Sequence, residues 1–453
     1  MKKIDYFVDI HTLFSNDSDR TVEKLAALYD NSEYLKIKIS SLFKKHFTSE
    51  MICNKKILLK PNWVKHSTKE TDEICLRTND NFLLATLEIV LTYKPLMVTI
   101  GDAPIQSCNW DRILNPQLLN KIHFLKQKYN AVINIQDFRR VTFEPLKNNP
   151  KYNRNSLEKY NIFDLGTDSY LEPISRSDKS IFRVTNYNPD RLSESHSKGT
   201  HKYCITEVLF ESDLIISLPK VKTHQKAGVT AALKNLVGLN GDKDYLPHHR
   251  IGGTGFGGDC YPGKNILRLW SEFALDFANR QQGKLFYWLL SRFSGLLWKL
   301  SFPKPVHQLS AGWFGNDTTW RMVLDLNRIA MYGKADGTLS KTPQRFIYSL
   351  CDGIIGGQGD GPLKPDPLPL GVISFTNHSG INDVIMGQLM GFNVTKIPLL
   401  NWFFKKYTSN EIILYLNNSI VNLSDLKKIE VQTIPPPGWS EHLKNVENEN
   451  RNS

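Results

Sequence analysis

Lys220, Lys222 and His224 stand at alternate positions in the run KVKTHQKAGVTAALKNLVGLNG, residues 220–241, and Thr230, Lys234 and Asn235 follow within it. Side chains of a strand point alternately to its two faces, so extended backbone over 220–224 sets Lys220, Lys222 and His224 on one face as a cationic comb. From Gly228 the pattern predicts a helix through Leu236, closed at Gly238, which stacks Thr230 and Lys234 one turn apart. Lysines, a histidine and a helix N-terminus together suit a bound phosphate or carboxylate. A solvated lysine-rich loop is the plainer reading, but the apolar flanks of this run favour a fixed one. His224 is the candidate general acid or base, because an imidazole titrates near neutrality.

In open parallel sheets, ligands sit at the carboxyl ends of strands, and polar residues close several apolar runs here. Lys60 and Asn62 follow ILL, Asp102 follows VTIG, Asp137 follows INIQ, Asp325 follows RMVL and Asp352 follows IYSLC. Such residues also end strands for conformational reasons alone, so the group carries more weight than any member. Asp102 and Asp352 are candidates to bind a divalent cation or move a proton, and Lys60, Lys220, Lys222 and Lys234 to neutralise charge. The glycines of DGIIGGQGDGPLKPD, Gly357 and Gly359 among them, read as tight turns or close backbone approach to an anion, with an irregular loop as the alternative.

Three other motifs are set aside or held back. Gly253, Gly255 and Gly258 have dinucleotide spacing but no strand before them, and Gly258–Lys264 resembles a phosphate loop that continues into Asn265 where Ser or Thr is needed. His248 and His249 with Asp242, Asp244 and Asp259 form a weak metal candidate, since adjacent histidines in a polar loop are usually just exposed.

Positioning these groups falls to two sets of short apolar runs. KKILLKPN (55–62), LMVTIGDAP (96–104), AVINIQDF (131–138) and SDLIISLPK (212–220) form the first; RMVLDLN (321–327), FIYSLCDG (346–353), LGVISFTN (370–377) and EIILYLNN (411–418) form the second. They are predicted strands, and the helical patterns between them indicate an α/β fold with a largely parallel, doubly wound sheet flanked by helices. Residues 17–47 show helical stripes, residues 139–200 read as a polar surface excursion, and 241–265 as a long loop. The division that follows is an N-terminal α/β lobe (1–250), a Gly-rich loop with a helical aromatic insertion (251–320), a C-terminal α/β lobe (321–440) and a disordered tail (441–453).

The chain has 453 residues, 41% hydrophobic and 23% charged, which excludes a wholly disordered, collagenous or repeat protein. Its net charge of +12 favours anionic partners. The six cysteines, Cys53, Cys75, Cys108, Cys204, Cys260 and Cys351, contain no CxxC, which argues against an iron-sulfur cluster and fits reduced thiols in a cytoplasm. Asp5 and Asp9 interrupt the N-terminal apolar run, so export is not expected. In the segment 284–302, Phe286, Leu289, Leu290, Phe293, Leu296, Leu297 and Leu300 share one helical stripe broken by Lys284, Arg292 and Lys299. The cations argue against a transmembrane span; an interfacial helix on an anionic membrane, a buried helix and a dimer interface all fit. WFFKK (402–406) is a second candidate contact of the same kind.

ILLKPNW (57–63), TIGDAP (99–104), LIISLPKVKTH (214–224), VTAALKNLVGL (229–239), DGIIGGQGDGPLKPDPLPLGVI (352–373) and PPPGW (435–439) resemble, in order, the motif blocks of the DUF362 family. Carried over residue by residue, the resemblance points to Lys60, Asn62, Asp102, Lys220, Lys222, His224, Thr230, Lys234, Asn235, Asp352, Gly357 and Gly359. The family has no settled activity. The ferredoxin-like segment of some relatives has no counterpart in these cysteines, so cluster binding is not carried over. The leading expectation is a cytoplasmic enzyme that binds an anionic, phosphorylated, nucleotide-linked or carboxylate substrate through the Lys/His cluster, with a divalent cation as the cofactor to test. The alternative is a non-catalytic binding module at the inner face of an anionic membrane or on a protein partner. Nucleic acid rests on net charge alone and is not expected.

Overall fold

The computed structural model describes residues 6–67, 73–144, 151–177, 180–281, 285–301, 311–406 and 411–444. Most of the tail, Lys284 and the segment from 302 to 310 lie outside the described residues. One twelve-stranded sheet organises the chain. Its strands are β1 (Tyr6–Thr12), β2 (Lys56–Pro61), β3 (Met97–Asp102), β4 (Ile133–Asp137), β5 (Leu214–Leu218), β6 (Lys220–His224), β7 (Gly228–Thr230), β8 (Phe346–Gln358), β9 (Asp366–Leu368), β10 (Val372–Thr376), β11 (Ile412–Leu416) and β12 (Ser419–Ile420).

The order is β12-β11-β1-β10-β8-β5-β2-β3-β4, with β6 and β9 paired to β8 and β7 paired to β6. β8, β5, β2, β3 and β4 are mutually parallel, whereas β10 runs antiparallel to both β8 and β1. The fold is therefore α/β with a mixed, mostly parallel sheet. Strands from residues 1–250 and from 321–440 share this sheet, and β1 lies between β10 and β11, so the two predicted lobes are halves of one sheet. β1 escapes a pattern reading because Asp9 sits in its middle, buried and bonded to Lys45 at 2.7 Å and His46 at 2.8 Å.

Helices cover both faces. On one, α1 (Val22–Asp30), α2 (Ser32–His46), α3 (Asp80–Thr92) and α4 (Pro116–Lys128) bury Leu25, Leu35, Ile39, Phe43, Phe82 and Leu87 against Ile57, Leu59, Val98, Ile100 and Ile216. The alternation of Leu58 and Ile215 to the opposite face meets Met322, Val323, Leu326 and Ile329. Those four belong to a helix, Thr319–Tyr332, so RMVLDLN is not a strand. Seven residues hold only two turns, and its helical period shows only when TWRMVLDLNRIAMY is taken whole. Asp325 sits inside that helix, accepting hydrogen bonds from Ser169, Tyr203 and the backbone N–H of Tyr170.

The stretch 139–200 is no mere surface excursion. Phe163, Leu171, Phe182 and Leu192 are buried with the Thr319–Tyr332 helix, and Tyr160–Asp164 pairs with Thr200–Thr206. Val184–Tyr187 of this segment form a cap that shares a cavity with Asn62 and Asp102, at the carboxyl ends of β2 and β3. The insertion is a helical hairpin, Ile266–Arg280 and Leu285–Leu300, as its pattern predicts.

Candidate functional site

The carboxyl edge of the sheet opens into a cavity of about 620 Å³. Asn62 enters it from the end of β2, Asp102 from β3, Lys222 and His224 from β6, Thr230 from β7, and Lys234 and Asn235 from the short helix Ala232–Asn235. Val184, Thr185, Asn186 and Tyr187 of the cap, Leu246, His248, Tyr287 and the segment Asp360–Lys364 close it. Seven of the residues singled out in the sequence thus meet around one space. The predicted helix from Gly228 is shorter than its pattern. Gly228–Thr230 is a strand paired with β6, and helical backbone begins at Ala232, yet Thr230 and Lys234 still share the cavity.

Beneath this floor lies a layer of internal pairs. Lys60 is fully buried and donates to Asp102 Oδ1 at 2.6 Å and to the Pro61 carbonyl at 3.1 Å. Asp102 also accepts from the backbone N–H of Trp63 at 2.7 Å and of Ala103 at 2.8 Å. A Cβ on Gly238 would stand 1.8 Å from Asp102 Oδ1, so only glycine lets this turn close over the pair. Asn235 donates to the Lys60 carbonyl and to Ser217 and accepts from Asn62, whose Oδ1 in turn accepts from Lys222 Nζ at 3.1 Å. Lys222 also donates to the Leu76 carbonyl.

The comb itself divides. Lys220 keeps the parity of Leu214, Ile216 and Leu218 and reaches the helical face, where it meets Asp352 Oδ2 at 2.9 Å and Tyr29 Oη at 2.9 Å. The Tyr29 hydroxyl donates to Asp352 Oδ1, and the backbone N–H of Asn79 donates to Oδ2 at 3.0 Å. Lys220 and Asp352 are both fully buried and line no part of the cavity. The physical reason is an irregularity in pairing: the step of two positions from Lys220 to Lys222 on β6 is matched by a step of five on β8, from Asp352 to Gly357, and this turns Lys222 to the other side. Gly357 and Gly359 do not line the cavity either. A Cβ on Gly357 would meet Lys222 Cβ at 2.7 Å, and Gly359, at φ +71°, accepts from Thr223 Oγ1. The close approach these glycines permit is that of β6, not of a ligand.

The cavity's charges are unbalanced. Lys222, Lys226, Lys234, Lys243 and Lys364 line it against Asp102, which Lys60 already holds, and Asp360, which accepts from Gln225. Lys226, Lys234 and Lys243 are half-buried, and none makes an ion pair among the described residues. Burial, then the repulsion of Lys220 and Lys234, brings Lys222 down to about 7. Burial and the neighbouring Lys243 and Lys226 bring Lys234 to about 7 as well. Lys226 and Lys243 fall to about 8, chiefly through burial.

Two histidines face this charge, and both are held well below the ordinary imidazole value by burial and the lysines. Their tautomers follow from their partners. His224 Nδ1 accepts from the Lys226 backbone N–H at 3.1 Å, so the neutral ring carries its hydrogen on Nε2. His248 Nδ1 lies 2.7 Å from the Leu246 carbonyl, which can only accept, so Nδ1 is protonated and Nε2 is the basic nitrogen. His224 is thus a donor and His248 the better base. The metal grouping of His248 and His249 with three aspartates does not form. Asp242 and Asp244 bind Arg140 and Arg154, and Asp259 accepts from Thr318 and the Asp317 backbone. Lys226, Lys243 and the cap residues are additions to the sequence reading, whereas His248, singled out there as a metal candidate, enters the site in another role. Of the additions only Lys226, inside the 220–241 run, carried a signal.

These features define an α/β protein with a lysine-rich cavity at the carboxyl edge of a mostly parallel sheet. Residues 171–386 match the model of the family described as domain of unknown function DUF362, which shows the resemblance carried by the motif blocks. The matched stretch holds the Lys/His block and the glycine block, while Lys60, Asn62 and Asp102 lie before it. No curated protein matches. A crystal structure of a Thermotoga maritima protein from the Northeast Structural Genomics Consortium is similar at 9% identity and a TM-score of 0.30, over 75% of this chain and 56% of that one. The chain therefore spans little more than half the length of that protein.

Proposed function

We propose that the cavity binds a small anionic substrate bearing phosphate or carboxylate, and that the protein is an enzyme acting on it. One observation carries this reading: four lysines without a carboxylate of their own converge on a cavity large enough for a metabolite. Ammonium groups held out of water next to one another are costly, and an anion that they share offsets that cost. Thr230, Asn62 and the Nε2–H of His224 add neutral polar contacts, and His248 Nε2 is the group to accept a proton from the bound substrate. Lys60 and Asp102 act from below by fixing the floor. A divalent cation carried in with a phosphorylated substrate belongs to the same test.

The experiment is thermal stability of the wild type and of Lys234→Ala against phosphates, nucleotides, nucleotide sugars and carboxylates, each with and without Mg²⁺. A ligand that binds the native state raises Tm by mass action. One ligand class should raise Tm in the wild type and fail to do so in Lys234→Ala. If no class shifts the wild type at low salt, the reading is wrong.

A second reading rests on the helical hairpin. No helix among the described residues is long and apolar enough to cross a membrane. The stripe is nevertheless not core. Trp270, Phe273 and Phe277 of one helix and Phe286, Trp288 and Phe293 of the other are each half or more exposed. The buried side carries Ser271, Ser294 and Trp298 instead. Arg292 stacks on Trp288 at 3.6 Å, the pairing of cation and indole that suits an anionic membrane surface. Tyr287 of the same helix lines the cavity, so the two readings are compatible. WFFKK offers less: Trp402 and Phe403 pack on the core beside Tyr170 and Trp320. Sedimentation with acidic liposomes decides. Binding at low salt that is lost in Trp288→Ser/Phe293→Ser supports the reading, and no binding at low salt ends it.

A further inference from the structure

Behind the cap lies a second, much smaller cavity of about 10 Å³, between the strand His249–Arg250 and the helix Ile266–Arg280. His249, Cys260 and Glu272 converge beside it. All three are buried, and each has one ligand-capable atom within 4.8 Å of the others. His249 Nδ1, Glu272 Oε1 and Asn279 Oδ1 are buried and have no hydrogen-bond partner. Buried polar atoms are nearly always satisfied, so three orphaned at one small cavity call for an explanation.

We propose that His249, Cys260 and Glu272 bind a divalent transition-metal ion of the zinc class. Imidazole nitrogen, thiolate sulfur and carboxylate oxygen are its usual donors, whereas magnesium and calcium take oxygen sets. The cavity admits one atom-sized occupant. Asn279 Oδ1, lining the same space, is the nearest further donor. Donors of a tetrahedral site stand roughly 3.3–3.8 Å apart, so these side chains need draw in by only about 1 Å. The neighbouring cation, Arg183, is already held by Asp276 at 2.9 Å.

The enclosure makes this a structural site. Glu272 Oε2 accepts from the Gly252 backbone N–H at 2.9 Å, and Cys260 N donates to the Gly252 carbonyl at 3.0 Å. A bound ion therefore fixes the loop 248–261 on the helix and, through the adjacent residue, the place of His248 in the large cavity wall. It is independent of what that cavity binds.

The test uses the metal-stripped full chain titrated with Co²⁺ and then Zn²⁺. One equivalent of Co²⁺ should give a thiolate-to-cobalt charge-transfer band with intense tetrahedral d–d absorption, which Zn²⁺ displaces, and either ion should raise Tm. Glu272→Gln should weaken Co²⁺ binding at least tenfold, and Cys260→Ser should remove the charge-transfer band. Should Cys260→Ser fail to fold, the wild-type spectrum decides alone. No stoichiometric uptake by the wild type, a cobalt spectrum without the thiolate band, or uptake unchanged in Glu272→Gln overturns the assignment and leaves a trapped water as the occupant.

Discussion

Two lysine layers lie a few residues apart in this molecule and obey opposite rules. In the lower one, Lys60 with Asp102 and Lys220 with Asp352 are buried, each ammonium matched to a carboxylate that backbone N–H groups also hold. In the upper one, Lys222, Lys226, Lys234 and Lys243 face a cavity with no acid of their own. A paired buried lysine is part of the frame, and its worth is seen when the pair is broken. An unpaired lysine at a cavity is a liability to the frame and an asset to a ligand. Residue type is the same in both layers, so function follows from the partner.

The largest effect should come from breaking a frame pair. Lys220→Ala leaves Asp352 buried with only the Tyr29 hydroxyl and one backbone donor, and loss of one member of a buried pair costs about 3–5 kcal/mol. Denaturant unfolding should show a loss of that order, without selective loss of anion binding in whatever fraction stays folded. Gly238→Ala is expected to act in the same direction, because its Cβ overlaps Asp102 Oδ1. A Lys220→Ala protein of wild-type stability that lacks only ligand response would put Lys220 back among the binding groups.

The opposite substitution sharpens the contrast. Lys234→Ala removes a repelled, unpaired cation, so the free protein should keep its stability at pH 7 or gain slightly. Its affinity for the anion should fall by roughly 10- to 100-fold, the usual worth of a hydrogen bond to a charged group. Equilibrium binding by calorimetry beside denaturant unfolding separates the two terms. A large stability loss in Lys234→Ala would erase the distinction between the layers.

How much of this was legible depended on the range of the causes. β2, β3, β5, β8, β10 and β11 show as apolar runs because burial on both faces of a parallel sheet is written locally. RMVLDLN defeated the same rule because two helical turns and a short strand look alike. The division of the comb was invisible, since it is set by Tyr29 and Asn79, distant in sequence, and by a pairing irregularity that alternation does not encode. The loop sequence offers His248 only as a weak metal candidate, with an exposed histidine as the plainer reading. The base role proposed for it depends on the Leu246 carbonyl fixing its tautomer, a contact with no sequence signature. The cap residues Val184 to Tyr187 gave no signal either, because they serve by position and not by type.

The smallest effect tests the electrostatics directly. Lys222 and Lys234 titrate near 7 in the folded protein and near the ordinary lysine value of about 10.4 when unfolded. Between those values the unfolded chain binds more protons, so their contribution to stability rises with pH across that window. It is complete above the unfolded value and is lost as pH falls through about 7. Other groups titrate in the same range, so the measurement is the difference between wild type and Lys234→Ala in unfolding free energy from pH 6.5 to 10. The wild type should show the steeper rise. A bound anion reverses the preference by stabilising the ammonium forms, so binding near pH 8 should take up protons, visible as a dependence of the calorimetric heat on the buffer's ionisation enthalpy. Parallel pH profiles and no proton uptake would mean that these lysines are already satisfied, and that the cavity layer differs from the frame in position alone.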